Sequence, residues 1–306
     1  MRALLVVNPK ATATSARTRD VLAHALASET RLEVVETKAR NHATELARQA
    51  TEDGLDVVVA LGGDGTVNEV VNGLLHDGPG PRVPALAVVP GGSTNVFARA
   101  LGQPGTAVEA TSDLLEAIRL DRRRTIGLGL ADERWFTFCA GLGLDAEVVR
   151  RVEHRRGHGK RATPQLFVRE ALVEFFRGTD RSLPPLRLVR DGVETETLGL
   201  ALVCNTSPWT YLGARPVVPC PDASFETGLD VFGLRTLGTV GTLRHLRQIL
   251  ATGVRPRGKA LLALHDLDAF TVAADRPLPL QVDGDDLGDR SAVRFTAVRD
   301  ALQVLV

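Results

Sequence analysis

The sequence predicts an N-terminal Rossmann-like three-layer α/β domain, followed by a C-terminal antiparallel β-sandwich domain. A chain of 306 residues has room for two domains of roughly 150 residues each. Over the first third, short apolar runs alternate with helical patterns, as in a parallel sheet with crossover helices. From residue 123 to about residue 290 the runs become β-like and are separated by Gly and Pro, which is typical of antiparallel sheets.

Hydrophobic periodicity and turn residues predict four strands and four helices in the first domain. The run 55–61 (LDVVVAL) is apolar without interruption, as in a strand buried on both faces. We assign residues 1–122 to this domain, and residues 291–306 are a candidate to return to it. The predicted strands are 3–7, 31–36, 55–61 and 85–89, and the predicted helices are 18–27, 42–52, 67–75 and one ending at Leu101.

The second domain, predicted over residues 123–290, consists mainly of short strands. One helix stands out at 164–177, because Thr163 supplies an N-cap, Pro164 suits the first turn and Gly178 follows the end. The predicted strands are 125–130, 135–139, 186–190, 197–204, 229–234, 269–273 and 278–282.

Composition excludes several classes of protein. The chain has 37 Lys and Arg against 37 Asp and Glu, which argues against a broadly basic nucleic-acid binder and against an acidic disordered tail. Three scattered cysteines without a CxxC pair fit a reducing cytosol. The apolar run at the N-terminus ends at Asn8 and is too brief for a signal peptide, and no run approaches ~18 apolar residues. We expect a soluble cytoplasmic protein that is at most peripheral to a membrane.

Two glycine-rich turns follow two successive predicted strands. They read GGDGTVNEVVNG from Gly62 and PGGSTNVFARALG from Pro90, and each leads into a helix. Glycines let a backbone approach a phosphate closely, and helix N-termini present unpaired N–H groups to anions. The alternative is that both turns are tight connections in which Asp-Gly and Ser-Thr act as caps. Neither a Walker A loop nor a GxGxxG fingerprint is present.

These turns resemble the nucleotide loops of the diacylglycerol kinase-like lipid kinases, a family that includes bacterial diacylglycerol kinases, sphingosine kinases and ceramide kinases and is more distantly related to NAD kinases. The resemblance covers essentially the whole chain and implies an NAD kinase/diacylglycerol kinase-like fold. The matching motifs, in family order, are Asn8-Pro9, Thr37, residues 62–73, residues 90–99, residues 141–146, residues 221–223 and residues 282–285.

The resemblance implies an enzyme that transfers the γ-phosphoryl group of ATP to a lipid hydroxyl with Mg²⁺. Such a reaction requires a cradle for the phosphates, a metal ion and a carboxylate that orients or deprotonates the hydroxyl. Asp64 is expected to act through Mg²⁺ near the phosphates. The residues implied in nucleotide binding are Asn8, Thr37, Gly62, Gly63, Asp64, Gly65, Thr66, Asn68, Glu69, Gly92, Ser93, Thr94 and Asn95.

The segment Asp283-Gly284-Asp285 has two interpretations. Asp-Gly between two strands is a strong hairpin signal. The resemblance implies instead that Asp285 is the proton acceptor, one methylene shorter than the glutamate of the family. If the segment is extended, alternation places Asp283 and Asp285 on one face. We therefore predict Asp285 as the base and Asp283 as its support or as a metal ligand.

Three departures from the family pattern affect these expectations. The first loop lacks the usual glycine between Asn8 and Ala13, and Val96 replaces the usual aspartate after Asn95. Thr227 stands where some bacterial members have a Mg²⁺-binding aspartate, so we expect that structural metal site to be lost, although Glu226 could substitute.

The lipid substrate is expected to meet the second domain. The predicted helix from Pro164 to Arg177 is apolar around most of its circumference and forms either a packed core helix or a wall of an acyl-chain pocket. The segment from Arg150 to Arg161 is strongly basic and is either a solvated loop or a site of attraction for anionic headgroups. Transient membrane contact is therefore expected, and a homodimer is open.

Two alternatives to a lipid kinase stay open at this point. NAD kinases share a Gly-Gly-Asp-Gly loop, although the second glycine turn resembles the lipid kinases more. A catalytically silent lipid- or nucleotide-binding homologue would fit the departures at Val96, Thr227 and Asp285. The sequence does not name the lipid, because acyl pockets are built from interchangeable apolar residues.

Overall fold

A computed structural model of the protein describes residues 1–11, 16–157, 164–178 and 185–306. These residues form a first unit, residues 1–128 with 299–306, and a second unit, residues 129–298. The proposed cap Thr163, residues 12–15 of the first loop and the end of the basic segment, residues 158–161, lie outside the described residues.

The first unit is a parallel sheet covered by helices on both faces. The strand order is β2-β1-β3-β4, and the end of the last strand of the chain lies beside β4, where Val304 pairs with Leu86. The predicted N-terminal α/β fold is therefore confirmed. The elements are β1 (Arg2–Val7), α1 (Ala16–Ala27), β2 (Arg31–Glu36), α2 (His42–Glu52), β3 (Val57–Gly62), α3 (Asp64–Leu74), β4 (Ala85–Pro90), α4 (Val96–Ala100) and α5 (Ala107–Leu120).

The core of this unit follows from the apolar strands. Every residue of β3 and β4 is buried, as expected for strands covered on both sides. Alternate residues such as Leu5, Val59 and Ala87 pack against α1 and α5 on one face, and α2 and α3 pack together on the other. The carboxyl ends of β1, β3 and β4 consequently reach the same edge of the sheet, where the glycine turns begin.

Helix α5 was not predicted from hydrophobic periodicity, although its start carries the Thr-x-x-Glu pattern of a capping box. The Thr106 hydroxyl accepts a hydrogen bond from the Glu109 amide at 3.3 Å and donates one to the Glu109 carboxylate at 2.7 Å. Ala110, Leu114 and Ala117 form its buried face. A search for Thr-x-x-Glu ahead of an apolar pattern would have found this helix.

The second unit is an antiparallel, β-rich fold, as predicted. The strand order is β14-β13-β10-β7-β15-β16, with β8 and β9 added beside β15 and β6 beside β5. The elements, of which the first and the last extend into residues of the first unit, are β5 (Arg123–Ala131), β6 (Arg134–Phe136), β7 (Cys139–Leu142), α6 (Leu144–Gly157), α7 (Pro164–Val173), β8 (Leu186–Arg190), β9 (Val193–Leu198), β10 (Leu200–Cys204), β11 (Thr210–Leu212), β12 (Arg215–Val217), β13 (Leu229–Leu234), α8 (Thr239–Ile249), β14 (Leu261–Leu267), β15 (Ala269–Val282) and β16 (Asp285–Leu305).

Two expectations for this unit are wrong in detail. The predicted strands 269–273 and 278–282 are one strand, β15, because irregularities in its register accommodate the Arg276-Pro277 interruption. The basic segment that begins at Arg150 is helical to residue 157 rather than a solvated loop. It forms α6 because Ala146, Val149 and Val152 provide a buried face at helical spacing.

The three cysteines are buried free thiols, and Cys139 on β7 lies opposite Cys204 on β10. Cys204 and Cys220 lie in the same hydrophobic cluster, so the three thiols are close in space although they are separated in sequence. Among the described residues, every helix is too short or too polar to cross a bilayer.

Gly73 is the point of closest approach between α2 and α3. A Cβ atom at this position would lie 2.2 Å from the carbonyl oxygen of Thr44 and 2.7 Å from the Ala47 Cβ. We predict that Gly73→Ala lowers the free energy of unfolding by about 2 kcal/mol, because the two helices must separate. Urea denaturation measures the change. Gly241→Ala, in α8 with nothing near its Cβ, is the control and should be neutral or stabilising; equal effects of the two substitutions would contradict the prediction.

Candidate functional site

The two glycine turns of the first unit are in direct backbone contact. The Gly91 amide donates a hydrogen bond to the Gly62 carbonyl at 2.8 Å. A Cβ atom on Gly92 would lie 2.7 Å from the Gly63 Cα, so neither position has room for a side chain without movement. The structure thus brings together Gly62, Gly63 and Gly92 of the predicted nucleotide set.

The loop after β1 is tied to the first glycine turn by Asn8. Its amide donates to the Leu61 carbonyl at 3.0 Å, and its Nδ2 donates to the Thr66 hydroxyl at 3.0 Å. Thr37 lies after β2, and its amide donates to the Val7 carbonyl at 2.8 Å. Asn8, Thr37 and Thr66 therefore lie at the carboxyl edge of the parallel strands, where ligands of open α/β sheets bind.

Asp64 joins the two turns through its side chain. It is the first residue of α3, and its Oδ1 accepts a hydrogen bond from the Phe97 amide at 3.1 Å. Gly65 follows in the same helical turn, and Ser93 and Thr94 lie in the second glycine turn with Ser93 exposed. The amides at the start of α3 thus lie beside hydroxyl groups and one carboxylate, a combination that suits a phosphate with a metal ion.

Three residues predicted to contact the nucleotide have side chains bonded within the unit. Asn95 adopts positive φ, 49°, and its amide group both accepts from the Gly92 N–H and donates to the Gly92 carbonyl. Both Glu69 carboxylate oxygens accept amide hydrogen bonds at the start of α2, and the Asn68 side chain accepts from Asn72. In this structure these groups shape the turns and cap α2, and their contact with nucleotide stays a prediction.

In the second unit, Asp283 and Gly284 form a two-residue hairpin turn between β15 and β16. Their φ angles are 49° and 85°, and Val282 pairs with Asp285 across the turn. The expectation of an extended segment with both aspartates on one face is wrong, because positive φ at both turn residues reverses the chain. Asp285 begins the returning strand instead.

The Asp283 carboxylate is buried and accepts four hydrogen bonds from the segment between β6 and β7. Its Oδ2 accepts from the amide and hydroxyl of Thr137 at 2.7 and 2.9 Å, and its Oδ1 accepts from the amides of Phe138 and Cys139 at 3.0 and 3.1 Å. A carboxylate has about four acceptor positions. The geometry therefore does not support the predicted role of Asp283 as a metal ligand, and its side chain holds the turn in place.

Asp285 is partly buried, and the acidic residues after it are neutralised by Arg150 of α6. The Arg150 Nε donates to the Asp286 Oδ2 at 2.9 Å, and its Nη2 bonds Asp289. These bonds, above all the one to Asp286, raise the pKa of Arg150 further. The guanidinium offsets the repulsion between neighbouring carboxylates at the start of β16.

Gln281 and Asp145 form a second support of the hairpin that the sequence did not reveal. The Gln281 Nε2 donates to the Asp145 Oδ2 at 2.7 Å, and its Oε1 accepts from the Gly284 amide at 3.0 Å. Burial raises the pKa of Asp145 to about 6, against the lowering effect of the Gln281 bond. Asp145 lies in one of the family-like motifs, residues 141–146. Gln281 is a polar residue within an apolar strand, and a polar residue at such a position is the signal that could have indicated a buried hydrogen bond.

Comparisons with known proteins agree with this arrangement. Residues 2–130 match the family described as "Diacylglycerol kinase catalytic domain". A "Probable lipid kinase YegS-like" from Stenotrophomonas maltophilia (strain K279a) is 28% identical over 295 residues, which cover 94% of this chain and 90% of the relative. Residues 2–130 are thus similar to a diacylglycerol kinase catalytic domain, and the chain over most of its length is similar to a lipid kinase.

Two further similarities concern parts of the chain or its fold. A diacylglycerol kinase from Bacillus subtilis (strain 168) is 39% identical over 114 residues, 37% of this chain and 35% of the relative. A crystal structure of a diacylglycerol kinase from Bacillus anthracis str. Sterne has a TM-score of 0.73 at 19% identity and covers 99% of this chain and 96% of that chain. This structural likeness supports the fold.

The departures from the diacylglycerol kinase-like pattern have local structural roles in this chain. Val96 is buried at the start of α4. The Thr227 hydroxyl donates to the Ser224 carbonyl at 3.1 Å, and the Gly228 amide donates to the Asp266 Oδ1 at 2.6 Å. Side-chain and backbone hydrogen bonds therefore close the turn around Thr227.

Asp145 makes stability depend on pH. Its folded pKa lies above the ordinary value of 3.8, so the stability contributed by the neutral carboxyl is present at low pH and is lost as pH rises through about 6. We predict that Asp145→Asn, relative to the unmodified chain, gains free energy of unfolding on the order of 2 kcal/mol between about pH 4.5 and about pH 8. Urea denaturation at both pH values measures it. Asp113→Asn, an exposed control on α5, should show no such change, and a pH-independent effect of Asp145→Asn would contradict the prediction.

Proposed function

We propose that this protein is an ATP-dependent lipid kinase that transfers the γ-phosphoryl group to the hydroxyl of diacylglycerol or a related lipid. The observation that carries the proposal is the contact of Gly63 with Gly92 at the N-terminus of α3. It lies within the residues that match the diacylglycerol kinase catalytic domain. A cradle without side chains beside a helix N-terminus suits the phosphates of a nucleotide.

The residues of the first unit fit ATP and Mg²⁺. Backbone amides of the turns would bind phosphate oxygens, with the hydroxyls of Ser93 and Thr94 beside them. Mg²⁺ in such sites is held by one or two carboxylates together with phosphates and waters, and Asp64 supplies the carboxylate. When bound, ATP and Mg²⁺ supply the phosphoryl group and neutralise its charge. Asn8 and Asn95 keep the turns in the conformation that the phosphates require.

Asp285 is proposed as the proton acceptor. The lipid hydroxyl oxygen forms the new bond to phosphorus, the bond from phosphorus to the leaving ADP oxygen breaks, and the hydroxyl proton passes to the Asp285 carboxylate. Asp283 holds the turn that orients Asp285. Arg150 pairs with Asp286 and Asp289 and so offsets the negative charge of these two neighbours of Asp285.

The lipid is proposed to contact the outer side of α7 and of the π-helical turn that follows it, Glu174–Gly178. Val168, Leu172 and Phe176 lie four residues apart and are 45%, 46% and 51% exposed. The opposite side contains buried Glu170 and Glu174, which pair with Arg155 and Arg151 of α6. These arginines are already paired with carboxylates. We therefore propose that the apolar strip of Val168, Leu172 and Phe176, rather than the basic charge of α6, contacts acyl chains or the membrane.

Asp285→Asn tests the proposed chemistry. We expect the rate of lipid phosphorylation to fall roughly 100- to 10,000-fold, because a general base contributes that much, while the melting temperature stays near that of the unmodified chain. Thin-layer analysis with radiolabelled ATP, a lipid panel and NAD as a competing acceptor measures the activity. Asp283→Asn is the comparison, and it should lose about 3 kcal/mol of stability because four buried donors lose a charged acceptor.

Several outcomes would contradict the proposal. Retention of activity by Asp285→Asn would exclude Asp285 as the base. Phosphorylation of NAD without any labelled lipid would show that the protein is an NAD kinase. If the folded protein gave no labelled product at all, it would be a catalytically silent homologue.

Leu172→Ser combined with Phe176→Ser tests the apolar strip. We expect the apparent KM for long-chain diacylglycerol in vesicles to rise about tenfold relative to the KM for a soluble short-chain analogue, because two apolar contacts with lipid are lost. Steady-state kinetics on both substrates give the ratio. Val193→Ser, at an exposed position on β9, is the matched control. An unchanged ratio would show that the strip does not contact lipid.

A further inference from the structure

A second surface of the second unit combines exposed basic and apolar side chains. It consists of α8 and the loop 251–260, which we call the α8 surface. Residues 231–265 contain no Asp or Glu, so this segment itself supplies no carboxylate to offset its charge. Its basic residues, all exposed, are Arg244, Arg247, Arg255, Arg257 and Lys259.

The outer side of α8 is unusually apolar for a helix exposed to water. Val240 is 84% exposed, Leu243 48%, Leu246 42% and, in the following loop, Val254 40%. The inner side packs through His245 and Ile249, which are buried. Amphipathic helices normally direct their aliphatic residues to the core, so a second apolar side mixed with arginines indicates a further contact.

The loop is held against α8, so the basic and apolar groups form one surface. The Gln248 side chain donates to the Arg257 carbonyl at 3.1 Å and accepts from the Arg257 amide at 3.2 Å. Gly258 approaches the His245 ring so closely that a Cβ there would lie 2.8 Å from Cε1. Arg255 pairs with Asp222. Within the described residues, the charges of Arg244, Arg247, Arg257 and Lys259 have no carboxylate partner.

We propose that the α8 surface docks onto an anionic lipid bilayer. The basic side chains would bind lipid phosphates, while Val240, Leu243 and Leu246 enter the boundary between headgroups and acyl chains, as in interfacial amphipathic helices. Charge complementarity selects this occupant over a second copy of the chain. A symmetric dimer through this surface would bring Arg244, Arg247, Arg257 and Lys259 of both copies together, with no carboxylate from residues 231–265 to offset them. The proposal goes beyond the kinase activity and does not require it.

Vesicle flotation with the full chain, without ATP or lipid substrate, tests the docking. The probes are vesicles of equal parts phosphatidylcholine and phosphatidylglycerol, and vesicles of phosphatidylcholine alone. The unmodified chain should bind the anionic vesicles more tightly, and added salt should weaken that binding. Arg244→Gln with Arg247→Gln should weaken it about 25-fold, because each basic residue near an anionic surface contributes about fivefold. Val240→Ser with Leu243→Ser should weaken binding to both kinds of vesicle.

The control is Arg190→Gln with Arg294→Gln, two exposed arginines on β8 and β16 that change the net charge equally. Thermal melting confirms that each variant is folded. Equal losses in the control and the α8 variant, or no preference of the unmodified chain for anionic vesicles, would overturn the proposal. A dimer in solution that Val240→Ser with Leu243→Ser dissociates, with vesicle binding unchanged, would assign the surface to a second copy. Because the readout is binding, failure of the kinase assay does not affect this result.

Discussion

The backbones of the two glycine turns approach until a methyl group on Gly92 would lie 2.7 Å from the Gly63 Cα. The first unit is arranged around this contact. It requires β3 and β4 to be neighbours in a parallel sheet, so that their loops leave at one edge. Asn8, Asp64 and Asn95 then bond the surrounding loops to the turns. The proposed phosphate site would need no side-chain cation in the loop, because backbone amides and a metal ion would supply the positive charge.

The carboxylates around the hairpin of the second unit have three different kinds of interaction. Asp283 accepts four hydrogen bonds, Asp286 pairs with the Arg150 guanidinium, and Asp145 accepts a hydrogen bond from Gln281 while desolvation raises its pKa to about 6. These arrangements orient the turn and limit repulsion near Asp285. In the proposed mechanism, Asp285 is the carboxylate among them that accepts the proton.

Basic charge in this protein has two different uses. The arginines of α6, which dominate the sequence of that region, pair with Glu170, Glu174 and Asp286 and so join helices and hairpin. The arginines of α8 are spread along a helix with no acidic residue near them in sequence. A neutral net charge conceals this difference, because the total counts paired and unpaired cations alike.

The order of elements in the first unit, apart from α5, and the two glycine turns could be predicted from the sequence, and Asp-Gly indicated the hairpin as one of two interpretations. Each depends on local patterns, namely apolar runs, glycine at turns and caps at helix starts. The hydrogen-bond partners of individual polar side chains could not be predicted in this way. Asp283 is bonded to residues some 145 positions away, Glu69 caps a helix 26 residues earlier in the chain, and the α6 arginines find their acidic partners only after packing. Only the tertiary structure decided these pairings, because the free energy of a buried carboxylate depends on which donors the fold brings within hydrogen-bond distance.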